Sequence, residues 1–299
     1  MSELPSKIKF VHLKQADWEI DFYSRPIIES DGKKRWELLI TTTKTTKNQE
    51  TFKWEKRCPA NSVNSLWLSD AFQEALLEAK KQGWHSPSRI RCWRSAMRTM
   101  VKKAAAKLDL EVIESRRTYS LLEWIADREK NFYPYEDGYM AGPIANPPAS
   151  ILNEPIPLPE EIRGDAWNLT SLPLSSLLEA NEWPISFKGL FPIEIKDNEG
   201  IEIPGLRLFS KNRSLALAGW LNGLEPVRLL IKGQQLLLES GQEDLWLVTD
   251  MDRSVAEKAN KDFINVREKA KGLQFIAIQS TPMEERFAGF WMLRDIPEI

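Results

Sequence analysis

Apolar and polar residues alternate along Trp18–Ile27: Trp18, Ile20 and Phe22 fall on one side, Glu19, Asp21 and Tyr23 on the other. A period of two sends successive side chains to opposite faces and predicts a β-strand. Ser30-Asp31-Gly32-Lys33 is a turn signal, so Arg35–Thr42 reads as the second strand of a hairpin, and Thr51–Cys58 as a third after a polar loop. The period then lengthens. A helix capped by Asn64 or Ser65 runs to about Gln82, stops at Gly83, and buries Leu66, Phe72, Leu76 and Ala79. Pro87 precedes a short strand, Arg89–Trp93. A second helix spans Ser95–Leu108, with Met97, Val101, Ala104 and Leu108 at core spacing. Leu110–Ser115 predicts a fifth strand, and Thr118–Glu129 a third helix carrying Leu121, Leu122 and Ile125.

Three meandering strands followed by αβαβα require a mixed sheet with helices on its faces. The fold class is α+β (mixed α/β), and the order of elements resembles the ribonuclease-H-like topology. That likeness concerns the fold and implies no activity.

The second half is richer in strands. Ala166–Leu172 and Ile185–Ile195 flank a short helix, Leu174–Ala180. Further strands are expected at Gly205–Phe209, Val227–Ile231, Gln234–Glu239, Leu245–Thr249, Leu273–Gln279 and Phe287–Leu293. Asp197-Asn198-Glu199-Gly200 and Lys232-Gly233 are turns. Gly219–Pro226 reads as a turn-rich loop around Trp220, and Ser254–Lys271 as an amphipathic helix ending at Gly272.

Composition divides the chain. Residues 133–165 hold seven of its eighteen prolines, among them Pro147-Pro148 and the alternating Pro155, Pro157 and Pro159. Proline removes a backbone donor, so this stretch forms neither a helix nor an inner strand. Three segments follow: a ribonuclease-H-like domain at 1–132, a proline-rich linker at 133–165, and a strand-rich α+β domain at 166–299. The net charge of −2 splits on the same line: 25 Lys/Arg and 18 Asp/Glu in residues 1–132 give +7, and 16 against 25 in the rest give −9. A basic half suits a polyanion, and an acidic half suits protein partners.

No apolar run reaches the roughly 18–20 residues of a membrane span, and the first residues lack the pattern of a signal peptide. The expectation is a cytoplasmic protein. Cys58 and Cys92 stand far apart, and His12 and His85 are the only imidazoles, which leaves little for a disulfide framework, a zinc site or a His-dependent triad. Phosphate-binding glycine loops are absent too, and no cofactor is implied.

The main chemical signal is one of charge. Nine cations and no acid lie between Glu78 and Asp109: Lys80, Lys81, Arg89, Arg91, Arg94, Arg98, Lys102, Lys103 and Lys107. Arg94, Arg98 and Lys102, at i, i+4 and i+8, would form one row on the second helix. Arg116 and Arg117 add a pair before the third helix. Cations neutralise phosphates, and aromatic rings offer bases a stacking surface. The candidate RNA-binding residues are therefore Arg91, Arg94, Arg98, Lys102, Lys103, Arg116 and Arg117. Trp84 and Trp93 are candidate stacking rings, although a core place weighs more for each. Single-stranded RNA fits better than duplex, since no recognition helix is apparent. A metal-dependent nuclease would use Asp21 with Asp70, Glu74 or Asp127, but the basic stretch that follows the fourth strand is where an acid would be needed. Asp21 is better read as the partner of Arg25 or Arg35.

Several stretches, in this order, resemble the Tab/Atab family of RNA-binding proteins from cyanobacteria, algae and plants: Trp18–Ile27 (WEIDFYSRPI), Lys33–Ile40 (KKRWELLI), Val63–Leu68 (VNSLWL), Ser115–Trp124 (SRRTYSLLEW), Ile203–Ser210 (IPGLRLFS), Leu217–Pro226 (LAGWLNGLEP) and Phe287–Asp295 (FAGFWMLRD). They span nearly the whole chain. Where the family has Trp-Leu-Leu, this chain has Trp291-Met292-Leu293, a mild change in volume. The resemblance implies a non-catalytic RNA-binding protein that supports translation of photosystem mRNAs, notably that of a photosystem I reaction-centre subunit. It also implies a preference for A/U-rich RNA, here an mRNA leader. A cyanobacterial member would carry no transit peptide and would work in the cytoplasm or at the thylakoid periphery. Translation or photosystem assembly proteins are the expected partners of the acidic domain, and a protein-only adapter using the linker and the Trp220 loop is the remaining alternative.

Overall fold

The computed structural model of the chain describes residues 16–44, 50–141, 153–193 and 200–295. His12, Pro147-Pro148, Asp197–Glu199 and the end of the expected strand at Ile195 lie outside them.

The first unit is built from β1 (Trp18–Ile28), β2 (Lys34–Thr42), β3 (Lys53–Cys58), α1 (Ser65–Lys81), β4 (Arg89–Cys92), α2 (Arg98–Ala106), β5 (Glu111–Glu114) and α3 (Tyr119–Asn131). Its sheet runs β3-β2-β1-β4-β5. The first three strands are antiparallel, and β1, β4 and β5 are parallel, as the mixed-sheet reading requires. Asn64 caps α1, its side chain accepting from the N–H groups of Leu66 (2.9 Å) and Trp67 (3.0 Å). Trp18, Ile20 and Phe22 meet Leu68, Phe72 and Ala75 of α1 and Val101 and Ala104 of α2 in one core. The opposite face of β1 and β2 is covered as well. Leu121, Leu122 and Ile125 of α3 pack on Leu39 and Trp93. Glu19 and Asp21 are thereby buried, although the alternation of β1 alone would leave them at solvent.

Three details of this unit differ from the sequence reading. Leu66, expected inside, is 62% exposed, because α1 turns Leu68, Ala71, Phe72, Ala75 and Ala79 inward. The second helix begins with a 3-10 turn at Ser95–Met97, and α-helical geometry starts only at Arg98. Tyr133–Tyr135 and the chain up to residue 140, at the start of the proline-rich stretch, pack on the first unit. The Tyr133 hydroxyl donates to Glu37 (2.8 Å), and the Met140 N–H donates to the Pro26 carbonyl (2.9 Å).

The second unit comprises β6 (Ile156–Pro157), β7 (Ala166–Pro173), α4 (Leu174–Leu178), β8 (Ile185–Gly189), β9 (Glu202–Phe209), α5 (Ser214–Gly223), β10 (Pro226–Lys232), β11 (Gln235–Ser240), β12 (Asp244–Asp250), α6 (Arg253–Lys269), β13 (Leu273–Gln279) and β14 (Phe287–Arg294). A five-stranded sheet, β7-β9-β13-β14-β8, faces a four-stranded sheet, β10-β11-β12-β6. Ile276, Ile278 and Trp291 of the first meet Leu229, Leu236 and Leu238 of the second, with α5 and α6 at their margins. Phe275, Phe290 and Met292 point the other way, towards α4. The short, proline-containing β6 takes an edge, where a missing N–H costs nothing.

The Trp220 segment is a helix and not a loop. Its apolar run LALAGWL forms α5, and Gly219 lets it lie against Phe187, whose ring a Cβ there would meet at 3.4 Å. Trp220 packs edge-on against Trp246 at 5.2 Å. The ring is thus part of the second core. This removes the exposed loop that the adapter alternative relied on.

Candidate nucleic-acid interface

The candidate cations divide into two groups once folded. Arg98, Lys102 and Lys103 on α2 and Lys107 at its C-cap lie at solvent, as do Lys80 and Lys81 at the end of α1, on the same side of the sheet. Glu114 of β5 accepts from Lys102 and stands 3.6 Å from Arg98. Lys81 pairs with Glu78 at 3.2 Å while staying largely exposed. Pairs of this kind are hydrated and weak, so a phosphate displaces the carboxylate at little cost.

Arg91, Arg94, Arg116 and Arg117 turn inward. Arg94 lies before the helix, so the expected row of three on α2 is a row of two. Its Nε donates to Asp21 Oδ1 at 2.6 Å, and its guanidinium stacks on Trp93 (4.0 Å) and Tyr23 (4.3 Å). Arg25 holds the other Asp21 oxygen at 2.8 Å, as the sequence reading anticipated. Burial opposes ionisation of Asp21, but Arg94 and Arg25 outweigh it and hold the carboxyl below its ordinary range. A carboxylate bound this way is engaged by two cations already. Of the other candidate acids, Glu74 pairs with Lys56 at 2.6 Å, and Asp127 accepts from Asn131 at 2.7 Å. Among the described residues no group of three His, Cys, Asp or Glu gathers as for a metal ion.

The remaining three arginines join the two units. Arg91 donates to Glu225 at 2.7 and 3.2 Å and to Asp17 at 3.0 Å. Burial raises the Glu225 carboxyl, and Arg91 more than reverses this, leaving it below its ordinary range. Arg116 stands 2.7 Å from the fully buried Glu239, which also takes Arg228 at 2.7 Å. Arg117 donates to three main-chain carbonyls, Gly189 (2.6 Å), Pro226 (2.8 Å) and Met292 (2.9 Å). The Tyr119 hydroxyl donates to Val227 at 2.7 Å, and Gln242 donates to the Cys92 carbonyl at 2.6 Å. Val227 itself enters the core beneath α3.

Trp84 and Trp93 are both buried and serve the core, so neither offers a stacking surface in this conformation. Sequence reasoning missed a different pair of rings. Tyr119 and Phe191, 5.1 Å apart, line a cavity between the units. The two residues lie in separate halves of the chain, and no local spacing connects them.

Two family models match the chain: the N-terminal domain of the RNA-binding protein Tab2/Atab2 over residues 17–128, and its C-terminal domain over residues 146–294. The chain is similar to the chloroplastic TAB2 homologue of Zea mays, 31% identical over 292 residues, covering 94% of this chain and 72% of that protein. It is similar to the chloroplastic TAB2 homologue of Arabidopsis thaliana as well, 30% identical over 294 residues, covering 94% and 75%. No solved structure matches.

Proposed function

From the premise that the chain belongs to the Tab2/Atab2 family, we propose that it binds single-stranded RNA without catalysis, through the cationic face of α1 and α2. The observation that carries this reading is the set of exposed cations, Lys80, Arg98, Lys102, Lys103 and Lys107, on a stretch with no acid of its own. Phosphate attraction supplies most of the affinity, and base contacts supply the preference. Of the other candidates, Arg91, Arg94, Arg116 and Arg117 act indirectly, by holding the surface in shape. The β3-β2-β1-β4-β5 order supports a ribonuclease-H-like connectivity for the first unit.

The transcripts are photosystem mRNAs, notably for photosystem I, bound at A/U-rich leaders. The chloroplastic relatives support a photosynthetic setting. No described helix is long and apolar enough to cross a membrane; the proposed place of work is the cytoplasm or the thylakoid periphery. The acidic second unit is the surface for translation or assembly proteins.

Filter binding of an A/U-rich 20-mer at rising salt tests the reading. Affinity should fall by at least about tenfold between 50 and 200 mM salt. Replacing Arg98, Lys102, Lys103 and Lys107 by Ala should flatten that dependence, lowering the slope by up to about 3. An unchanged slope would place the RNA elsewhere.

A further inference from the structure

A cavity of about 320 Å³ lies between the two units. Neither unit forms it alone. Glu19 of β1 and Tyr119 and Ser120 at the start of α3 come from the first, and Phe191, Pro192 and Leu273 from the second. Its volume lies at the lower end of ligand pockets, roughly 300–1,000 Å³, which suits one small planar group.

The lining has three kinds of surface. The wall is aromatic and apolar: the Tyr119 and Phe191 rings, inclined by 55°, with Pro192 beside them. The inner end is polar. Glu19, 1% exposed, accepts from the Leu121 N–H at 2.8 Å through one carboxyl oxygen, while Ser120 Oγ accepts from the Lys44 N–H at 3.4 Å. The remaining lining carries charge. Lys271 is exposed, and Arg294 reaches across the junction to Glu123 of α3.

We propose that this cavity holds a single nucleotide of the bound RNA, its base against Tyr119 and Phe191, its edge read by Glu19, and its phosphate on Lys271 and Arg294. This rests on the RNA-binding reading and adds a base-reading site to the phosphate-binding face. Base stacking on an aromatic ring favours binding and tolerates any base; discrimination needs an edge contact. Burial lifts the Glu19 carboxyl to about 7, so at neutral pH it presents both an accepting and a donating form to a base edge. The same chemistry would accept a free nucleotide, and the test separates the two sources.

The full chain is titrated with AMP, CMP, GMP and UMP, with ribose 5-phosphate as the control, and with the A/U-rich 20-mer. At least one mononucleotide should bind about tenfold or more tighter than ribose 5-phosphate, a difference the base alone supplies. Ser120→Tyr fills the cavity and should abolish that difference at an unchanged melting temperature. Lys271→Ala, on the exposed rim, should weaken nucleotide and ribose 5-phosphate alike by about threefold. Equal binding of nucleotide and ribose 5-phosphate, or full nucleotide binding by a folded Ser120→Tyr protein, overturns the pocket. If Ser120→Tyr does not fold, an unaltered Lys271→Ala affinity overturns it instead. A 20-mer bound equally well by wild type and Ser120→Tyr, with no mononucleotide binding, sinks the pocket and leaves the helical face as the RNA site. Failure of the 20-mer to bind at all sinks the RNA reading separately; mononucleotide binding would then assign the cavity to free nucleotides.

Discussion

Glu19 has its carboxyl out of solvent, and burial lifts it from an ordinary value of 4.5 to about 7. The Leu121 N–H, Thr43 and Arg91 oppose the rise, and Glu123 adds to it. A carboxyl raised on folding binds its proton more tightly in the native state. Its contribution to stability is therefore complete below about pH 4.5 and is lost as pH climbs through 7, a span of about 3 kcal/mol. Urea unfolding of wild type and Glu19→Gln between pH 5 and 8 should show the wild type losing stability relative to the variant as pH rises. Parallel curves would mean that Glu19 titrates normally. Arg117 gives a second prediction at this scale. Its three carbonyl acceptors all lie in the second unit, and removal takes this donor from all three at once. Arg117→Ala should cost about 2–4 kcal/mol, measured by urea unfolding. Arg117→Lys should recover only part of this, because an ammonium cannot copy the planar spread of a guanidinium.

Among the elements, α2 and β5 are tied by one acid. Glu114 faces both Arg98 and Lys102. Glu114→Gln removes its competition with phosphate and should tighten RNA binding by about two- to fivefold at low salt; weaker binding would contradict this. In the first unit the strands and helices were legible because periodicity and punctuation agree: Asn64 caps, Gly83 stops, and the hydrophobic positions of α3 are those that pack. Gly219 misled the reading of α5, since a glycine beside Asn222-Gly223 looks like a turn until Phe187 supplies the reason for it. The candidate site was legible as charge but not as placement. Nothing local to Arg91 or Arg116 announces Glu225 or Glu239, which lie more than a hundred positions away. The burial of Glu19 was equally hidden, because it depends on α3 covering the second face of the sheet.

For the whole molecule, the junction is charged, hydrogen-bonded and partly apolar, so the two units should unfold together. Calorimetry should give one transition for the wild type. Arg91→Ala combined with Arg116→Ala leaves Glu225 and Glu239 short of a partner and should split the transition or lower its midpoint by several degrees. An unchanged single transition would show that these pairs do not couple the units. The partition of charge, +7 against −9, takes on a further meaning here: part of each excess pairs across the junction, while the α1 and α2 cations stay exposed to an outside polyanion.

Arg117 also carries a consequence in time. Its Met292 acceptor lies 175 positions later in the chain. At about 5–20 residues per second, a ribosome needs roughly 9–35 s to supply it. For most of that interval the first unit, whose last helix ends at Asn131, is already synthesised while its cationic edge still waits for its lid. A nascent chain of this kind is held open by synthesis itself, and the junction closes only after the strand bearing Met292 has emerged.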